Sequence, residues 1–175
     1  DSSMLSLIAG RATSRSSPAW ISAPSKPARR ARSDSDKARY YRDAAAVSEK
    51  LAGLDSSFEH NLLAGEAYLG AKEYRKALGW FDKARAKQPN NALVYFYTAQ
   101  CKTSLNQLNP AIADLQQALK IGASGKLRSQ VYNQGGYVYD KKKDYDNAIR
   151  WYQEAGNSSK VREMQDKKSK QADNI

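Results

Sequence analysis

The chain of 175 residues is long enough for one ordinary domain with its own core plus an extended arm. Its longest apolar runs fall far short of the roughly 20 residues that cross a bilayer, which sets a transmembrane role aside. Lysine and arginine outnumber aspartate and glutamate by 29 to 18, and this formal charge of +11 favours acidic proteins, nucleic acid or an anionic membrane surface as partners.

The single cysteine, Cys101, excludes an intrachain disulfide, so the fold cannot depend on an oxidising compartment. This leaves the compartment open. We favour a cytoplasmic protein, with an organelle or the periplasm as the alternatives.

Residues 1–33 are predicted to be a basic arm rich in Ser, Pro, Ala and Arg, with no acidic residue between Asp1 and Asp34. Such a composition cannot bury enough apolar surface to offset the entropy of ordering the segment. The arm resembles an organellar transit peptide in being rich in Arg and Ser, and a tag remnant, a solvated tail and a binding arm are the other interpretations. The residues that could contact phosphates and stack on a base are Trp20, Lys26, Arg29, Arg30 and Arg32.

The segment 34–57 is predicted to form one helix, because apolar residues recur every three or four positions from Tyr40 to Leu51. It could cap the next element or be the second helix of a degenerate repeat. From Phe58 onward the pattern is helix, short turn, helix, with no alternating run long enough for a strand, so the class is all-α.

A triplet of small, bulky and small residues recurs along the rest of the chain. Its first members are Ala77, Ala111 and Ala148, which are 34 and then 37 residues apart. A glycine and a tyrosine precede the first and third triplets by twelve and nine residues. The full set is Ala77, Phe81 and Ala84; Ala111, Leu115 and Ala118; Ala148, Tyr152 and Ala155; with Gly65, Tyr68, Gly136 and Tyr139 upstream.

This rhythm resembles the tetratricopeptide repeat (TPR) family, whose 34-residue unit places small residues, aromatic residues and a proline at these offsets. The unit 58–91 matches best, and the unit 92–128 has an extended connection, with Lys102 where the family has tyrosine. The resemblance implies a right-handed α-α superhelix of three helical hairpins. The implied segments are the N-terminal helix 34–57, hairpins 58–91, 92–128 and 129–157, and a capping helix with tail, 158–175.

Close packing explains why these residue types recur. Two antiparallel helices approach closely only where one offers a small side chain that the other fills, which predicts Gly65 against Phe81 and Gly136 against Tyr152. Turn chemistry predicts that Asn109 caps a helix whose first residue is Pro110, and that Gly122 ends that helix.

The resemblance also implies where a partner would bind, since in the family the first helix of each hairpin lines a concave groove. The groove residues on this basis are Glu59, Leu62, Glu66, Leu69, Phe96, Gln100, Thr103, Gln130, Asn133, Tyr137 and Asp140. Such a mixed surface suits a peptide or helix with apolar anchors and a basic residue. Some of these residues, notably Leu62 and Phe96, could instead pack between helices.

Some family members bind acidic C-terminal peptides through a clamp of Lys, Asn and Arg side chains. The corresponding places here carry other residues, so binding of that kind is not predicted. They are Leu62, Glu66, Tyr97, Gln130 and Gln134.

The sequence offers no catalytic constellation, because His60 is the only histidine and Cys101 the only cysteine. We therefore expect no enzyme activity, no metal and no cofactor. The predicted function is a scaffold or adaptor that binds a protein segment in its groove, either alone or within a larger assembly. The alternative is an RNA-associated assembly protein that uses the basic arm.

Overall fold

The computed structural model describes residues 34–173, which form eight α-helices and no β-strand. The predictions for the arm, including Trp20, Lys26, Arg29, Arg30 and Arg32, lie outside these residues. The helices are α1 (Asp34–Leu54), α2 (Phe58–Gly70), α3 (Tyr74–Lys87), α4 (Ala92–Ser104), α5 (Leu108–Ile121), α6 (Gly125–Lys141), α7 (Tyr145–Glu154) and α8 (Ser158–Ala172).

Each helix packs chiefly against its neighbours in the chain, which makes the structure a stack of hairpins. The hairpins are α2 with α3, α4 with α5, and α6 with α7. Helix α1 covers the free side of α2, and α8 covers the free side of α7 through the fully buried Met164. Within residues 34–173 no helix combines the length and apolarity that a membrane span requires.

The three hairpin turns share one backbone geometry. Lys72, Asn106 and Lys143 occupy the equivalent place in each turn, with φ of 61°, 60° and 59°. Asparagine tolerates this left-handed conformation well, whereas lysine adopts it at some cost in strain. Because the turn is the same three times, the two helices of every hairpin leave it in the same relative direction.

The predicted contacts between glycine and aromatic rings are present. A Cβ atom on Gly136 would lie 2.7 Å from Cδ1 of Tyr152, and a Cβ atom on Gly65 would overlap the Phe81 ring. Gly135 stands in the same relation to the Trp151 ring, a contact that the sequence did not predict. Only a glycine allows the helix axes to approach this closely.

The predicted start of α5 is wrong. The helix begins at Leu108 with Gln107 as its N-cap, so Pro110 is its third residue rather than its first. The Asn109 side chain does not cap the helix and instead accepts a hydrogen bond of 2.6 Å from Lys142 Nζ of the next hairpin. Gly122 ends α5 as predicted, with φ of 110°.

The middle hairpin contains an ion pair where the third hairpin has an aromatic pair. Lys102 Nζ lies 2.6 Å from Asp114 Oδ2, at the positions that Tyr139 and Trp151 occupy 37 residues later. In the third hairpin Trp151 occupies space that Gly135 leaves open, whereas the middle hairpin has the buried Thr98 at that place. A tryptophan would therefore not fit there, and a smaller polar pair occupies the position.

Gly65→Ala is expected to destabilise the protein by about 1–3 kcal/mol, because its Cβ would overlap the Phe81 ring. Gly79→Ala is the matched control, since Gly79 lies within α3 with nothing within 4 Å of an added Cβ. We expect that variant to be more stable by about 0.5–1 kcal/mol, because alanine has the higher helix propensity. Urea unfolding measures both values, and a Gly65→Ala variant as stable as the control would contradict the close packing.

Asp114→Leu is expected to lower the free energy of unfolding by about 2 kcal/mol, because it leaves the Lys102 ammonium half-buried without its partner. The double variant Lys102→Met/Asp114→Leu should recover this loss and equal or exceed the wild type, since apolar side chains replace a pair that is costly to desolvate. Urea unfolding of the two single variants and the double variant tests this. Equal losses in the single and double variants would contradict it.

Candidate inner-face binding site

The stack has an inner face formed by the first helices of the hairpins. Helices α2 and α4 contact each other, as do α4 and α6, whereas the second helices of neighbouring hairpins have at most marginal contact. The first helices are therefore closer together, and the stack curves towards them. Side chains near the C-terminal ends of these helices line the inner face.

A depression of about 320 Å³ lies on the inner face, near the C-terminal ends of α2, α4 and α6. Four of the predicted groove residues, Leu69, Gln100, Thr103 and Tyr137, meet there from three different hairpins. The full lining is Leu69, Gly70, Lys72, Tyr74, Gln100, Thr103, Ser104, Gln134, Tyr137 and Lys141.

The floor of the depression is held by a short hydrogen-bond chain. Gln134 Nε2 donates to Thr103 Oγ1 over 3.2 Å, and that hydroxyl donates to the Ala99 carbonyl over 2.7 Å. Thr103 is buried by these contacts and fixes the Gln134 amide, which leaves the Gln134 carbonyl oxygen available as an acceptor. The wall is Tyr137, which is 48% exposed and is one of two large hydrophobic side chains exposed in residues 34–173.

The depression is electrostatically positive. Lys72 and Lys141 line it, no acidic side chain does, and neither lysine forms an ion pair within the described residues. Lys141 Nζ lies 5.8 Å from the centre of the Tyr137 ring. This end of the inner face therefore suits a neutral or acidic group better than the basic residue expected from the sequence.

A carboxylate lies one helical turn away, between α2 and α4. Burial raises the pKa of Glu66 above 4.5, and a hydrogen bond from the Tyr97 hydroxyl partly offsets the rise. The same burial, together with the Glu66 charge, raises the pKa of Tyr97. Glu66 is a predicted groove residue that could accept a cationic group from a partner near the depression, because Tyr97 occupies only part of its hydrogen-bonding capacity.

The other predicted groove residues divide into exposed and structural ones. Glu59 and Gln130 are exposed near the N-terminal ends of α2 and α6, away from the depression. Leu62 is half-buried against the first core cluster. Phe96 is 5% exposed and belongs to the second core cluster, so its assignment to the groove is corrected to a packing role.

Asn133 and Asp140 are also corrected, because both hold neighbouring elements in place. Asn133 Nδ2 donates to the Ser129 carbonyl, and its Oδ1 accepts from Asn157, the N-cap of α8. Both oxygens of Asp140 accept from Lys167 Nζ of α8, over 3.0 and 2.8 Å. These polar groups fix the capping helix and are not free for a partner.

Six lining residues were missed as groove residues by the sequence interpretation. Gly70, Ser104 and Lys141 occupy equivalent positions in their repeats. Each directly follows the last residue of its helix that was predicted to line the groove. Lys72 and Tyr74 belong to a turn and to a second helix, and the sequence interpretation had assigned the groove to first helices alone. Gln134 was examined only as a clamp position.

Cys101 and His60, the one cysteine and the one histidine of the sequence, do not form a nucleophile pair. Burial raises the pKa of the Cys101 thiol to about 12, so the thiol stays protonated and is a poor nucleophile. His60 Nδ1 lies 2.9 Å from the Asp55 carbonyl at the start of α2, on another hairpin. Within residues 34–173, His, Cys, Asp and Glu side chains do not gather in groups of three that could hold a metal.

The architecture and its similarity to solved structures define the fold. The chain has the tetratricopeptide-repeat fold, and the predicted all-α superhelix of helical hairpins is confirmed. No family model matches the sequence.

Three similar solved structures are of MamA. One aligns with a TM-score of 0.63 at 18% identity, over 78% of this chain and 81% of that chain. A second aligns with a TM-score of 0.60 at 17% identity, over 82% of this chain and 99% of the other. MamA 41-end from Desulfovibrio magneticus RS-1 aligns with a TM-score of 0.60 at 21% identity, over 72% of this chain and 68% of the other. At these identities the likeness shows the fold.

Among curated proteins, the chain is similar to the "Protein SGT1 homolog" of Dictyostelium discoideum. The two are 33% identical over 57 residues, which is 33% of this chain. The match spans only 15% of the length of that relative.

Tyr97→Phe is expected to raise the pKa of Glu66 further, because it removes the hydrogen bond that lowers it. Carboxyl chemical shifts in a pH titration by NMR measure this value. Since the pKa of Glu66 in the folded protein is raised, its contribution to stability is complete below about pH 4.5 and is lost as the pH rises through the folded pKa. A Glu66 pKa below 4.5 in the wild type would contradict the burial.

Proposed function

We propose that this chain is a non-enzymatic scaffold or adaptor that holds a segment of a partner protein against its inner face. The observation that carries the proposal is the convergence of Leu69, Gln100, Thr103 and Tyr137, from three hairpins, around one depression. Gln100 is half-buried and Tyr137 is exposed, so both retain surface that a partner could contact.

The size of the depression limits what it can hold. A volume of about 320 Å³ is near the lower end of the range for ligand pockets, roughly 300–1,000 Å³, and suits one or two side chains better than a large cofactor. From α2 to α6 there are two helix-to-helix steps of about 8–10 Å each. An extended segment of roughly five or six residues would cross them.

The chemistry of the lining suggests how such a segment would bind. The Tyr137 ring and Leu69 offer an apolar contact, and exposed aromatic residues at the centre of an interface often contribute most of its binding energy. The side-chain amides of Gln100 and Gln134 can pair with a peptide backbone. Lys72 and Lys141 favour a neutral or acidic segment at this point, and Glu66 offers a place for a cationic group one turn away.

The RNA-associated alternative depends on residues 1–33. No observation on residues 34–173 favours it, and it stays a prediction. Its test is nucleic-acid binding with a steep salt dependence that deletion of residues 1–33 abolishes.

The triple variant Gln100→Ala/Gln134→Ala/Tyr137→Ala is expected to weaken capture of a partner from native extract at least about tenfold, because loss of one central aromatic residue alone costs about 2 kcal/mol. The three side chains lie outside the buried core. The unfolding free energy should therefore change by no more than about 1 kcal/mol.

The matched control is Gln116→Ala/Arg150→Ala/Gln153→Ala, which changes three exposed residues on the second helices. A photo-crosslinking residue placed at 137, and in a separate variant at 116, identifies the surface directly. We expect the captured partner to crosslink from position 137 and not from 116. Equal crosslinking, or unchanged capture by the inner-face variant, would show that the inner face is not the binding surface.

A further inference from the structure

The net positive charge of the folded part comes from its middle. Residues 83–139 carry seven lysine and arginine residues and a single acidic residue, Asp114. The rest of the described chain, residues 34–82 and 140–173, carries sixteen basic and sixteen acidic residues. The whole surplus of the folded part therefore comes from 57 consecutive residues.

Six of these seven basic residues lie along one edge of the stack. Lys102 is the exception, since it is half-buried and pairs with Asp114. The others lie where second helices end and the following first helices begin. This basic edge consists of Lys83, Arg85 and Lys87 at the end of α3, Lys120 at the end of α5, and Lys126 and Arg128 at the start of α6.

Helix stability accounts for only part of this arrangement. Basic residues at the ends of α3 and α5 interact favourably with the negative ends of the helix dipoles. Lys126 and Arg128 lie instead in the first turn of α6, where the dipole disfavours a positive charge and no acidic residue is present. Their charge at that position opposes helix stability, so it requires another explanation.

Most of the charge on the basic edge is not neutralised within the protein. Arg85 forms an ion pair of 2.6 Å with Asp82. Within residues 34–173 the other five basic residues form no ion pair, and all five are exposed. The edge thus presents a concentrated positive surface to solvent.

The aromatic rings at this edge are already occupied. The Arg128 guanidinium lies 5.4 Å from the Tyr132 ring centre and donates a hydrogen bond to its hydroxyl, and the Arg85 guanidinium lies 5.8 Å from the Tyr95 ring centre. Lys83 Nζ lies 3.7 Å from the Trp80 ring centre. These half-buried rings orient the cations and do not offer the open faces on which nucleic-acid bases stack.

We propose that the basic edge docks an acidic protein segment, a run of aspartate and glutamate side chains. The unpaired Arg128 guanidinium, oriented by the Tyr132 ring, presents paired donors to a carboxylate, and the exposed lysines add charge around it. The proposal does not depend on the inner face. If both surfaces bind, one chain joins two protein segments, one on the inner face and one along the edge.

The test is the binding of a fluorescein-labelled decaglutamate peptide to the full chain, followed by fluorescence anisotropy. We expect the affinity to fall at least about tenfold between roughly 50 and 200 mM salt, because screening weakens exposed charge contacts. Lys87→Glu/Lys126→Glu/Arg128→Glu should lower it at least about twentyfold at low salt. The control Arg42→Glu/Arg150→Glu/Arg162→Glu changes the net charge equally at exposed positions elsewhere and should lower it by less than about threefold.

Equal losses in the two triple variants would overturn the proposal, since they would show a response to net charge alone. Retained binding in the edge variant would overturn it as well. Polyuridine RNA is the second probe: if it binds the edge more tightly than decaglutamate and loses affinity in the same variant, the edge serves nucleic acid instead. Should the charge reversal unfold the chain by circular dichroism, Lys87→Gln/Lys126→Gln/Arg128→Gln replaces it under the same criteria.

Discussion

The packing of a small residue on the first helix of each hairpin against a bulky side chain on the second is the contact on which this structure depends. Gly65 receives the Phe81 ring and Gly136 receives the Tyr152 ring. Because no side chain separates the helix axes at these points, the two helices of the first and third hairpins approach closely. The middle hairpin has Ala99 and Leu115 at the equivalent positions, again a small residue facing a bulky one. This close packing within the hairpins gives the compact units that stack along the chain.

The middle hairpin differs from the others in a way that connects its interior with its surface. Thr98 takes the space that Gly135 leaves for a ring in the third hairpin, and the pair Lys102–Asp114 replaces the aromatic pair. Asp114 is the only acidic residue between positions 83 and 139, and it is 8% exposed. Its charge is therefore neutralised by Lys102 inside the hairpin, and the charged side chains on the surface of residues 83–139 are all basic.

Much of the fold could be predicted from the sequence, because its periodicity follows directly from the packing. The site was less predictable. Phe96 occupies in α4 the repeat position that Leu62 occupies in α2. The sequence does not show how α4 is rotated about its axis, and it is this rotation that places the Phe96 ring in the core. The pairing of Asp140 depends on Lys167, 27 residues away, and on how α8 docks. Lys72 lines the depression from a turn, and a prediction that considers only positions on the first helices does not include turn residues.

The buried thiol of Cys101 has a practical consequence. It is the only cysteine of the chain, it lies in the first core cluster beside α2 and α3, and its pKa of about 12 keeps it protonated and unreactive at neutral pH. An alkylating reagent can modify it only in molecules whose α4 has moved away from that cluster. The alkylation rate of the wild-type chain therefore reports how often the centre of the stack opens locally, and the measurement requires no substitution.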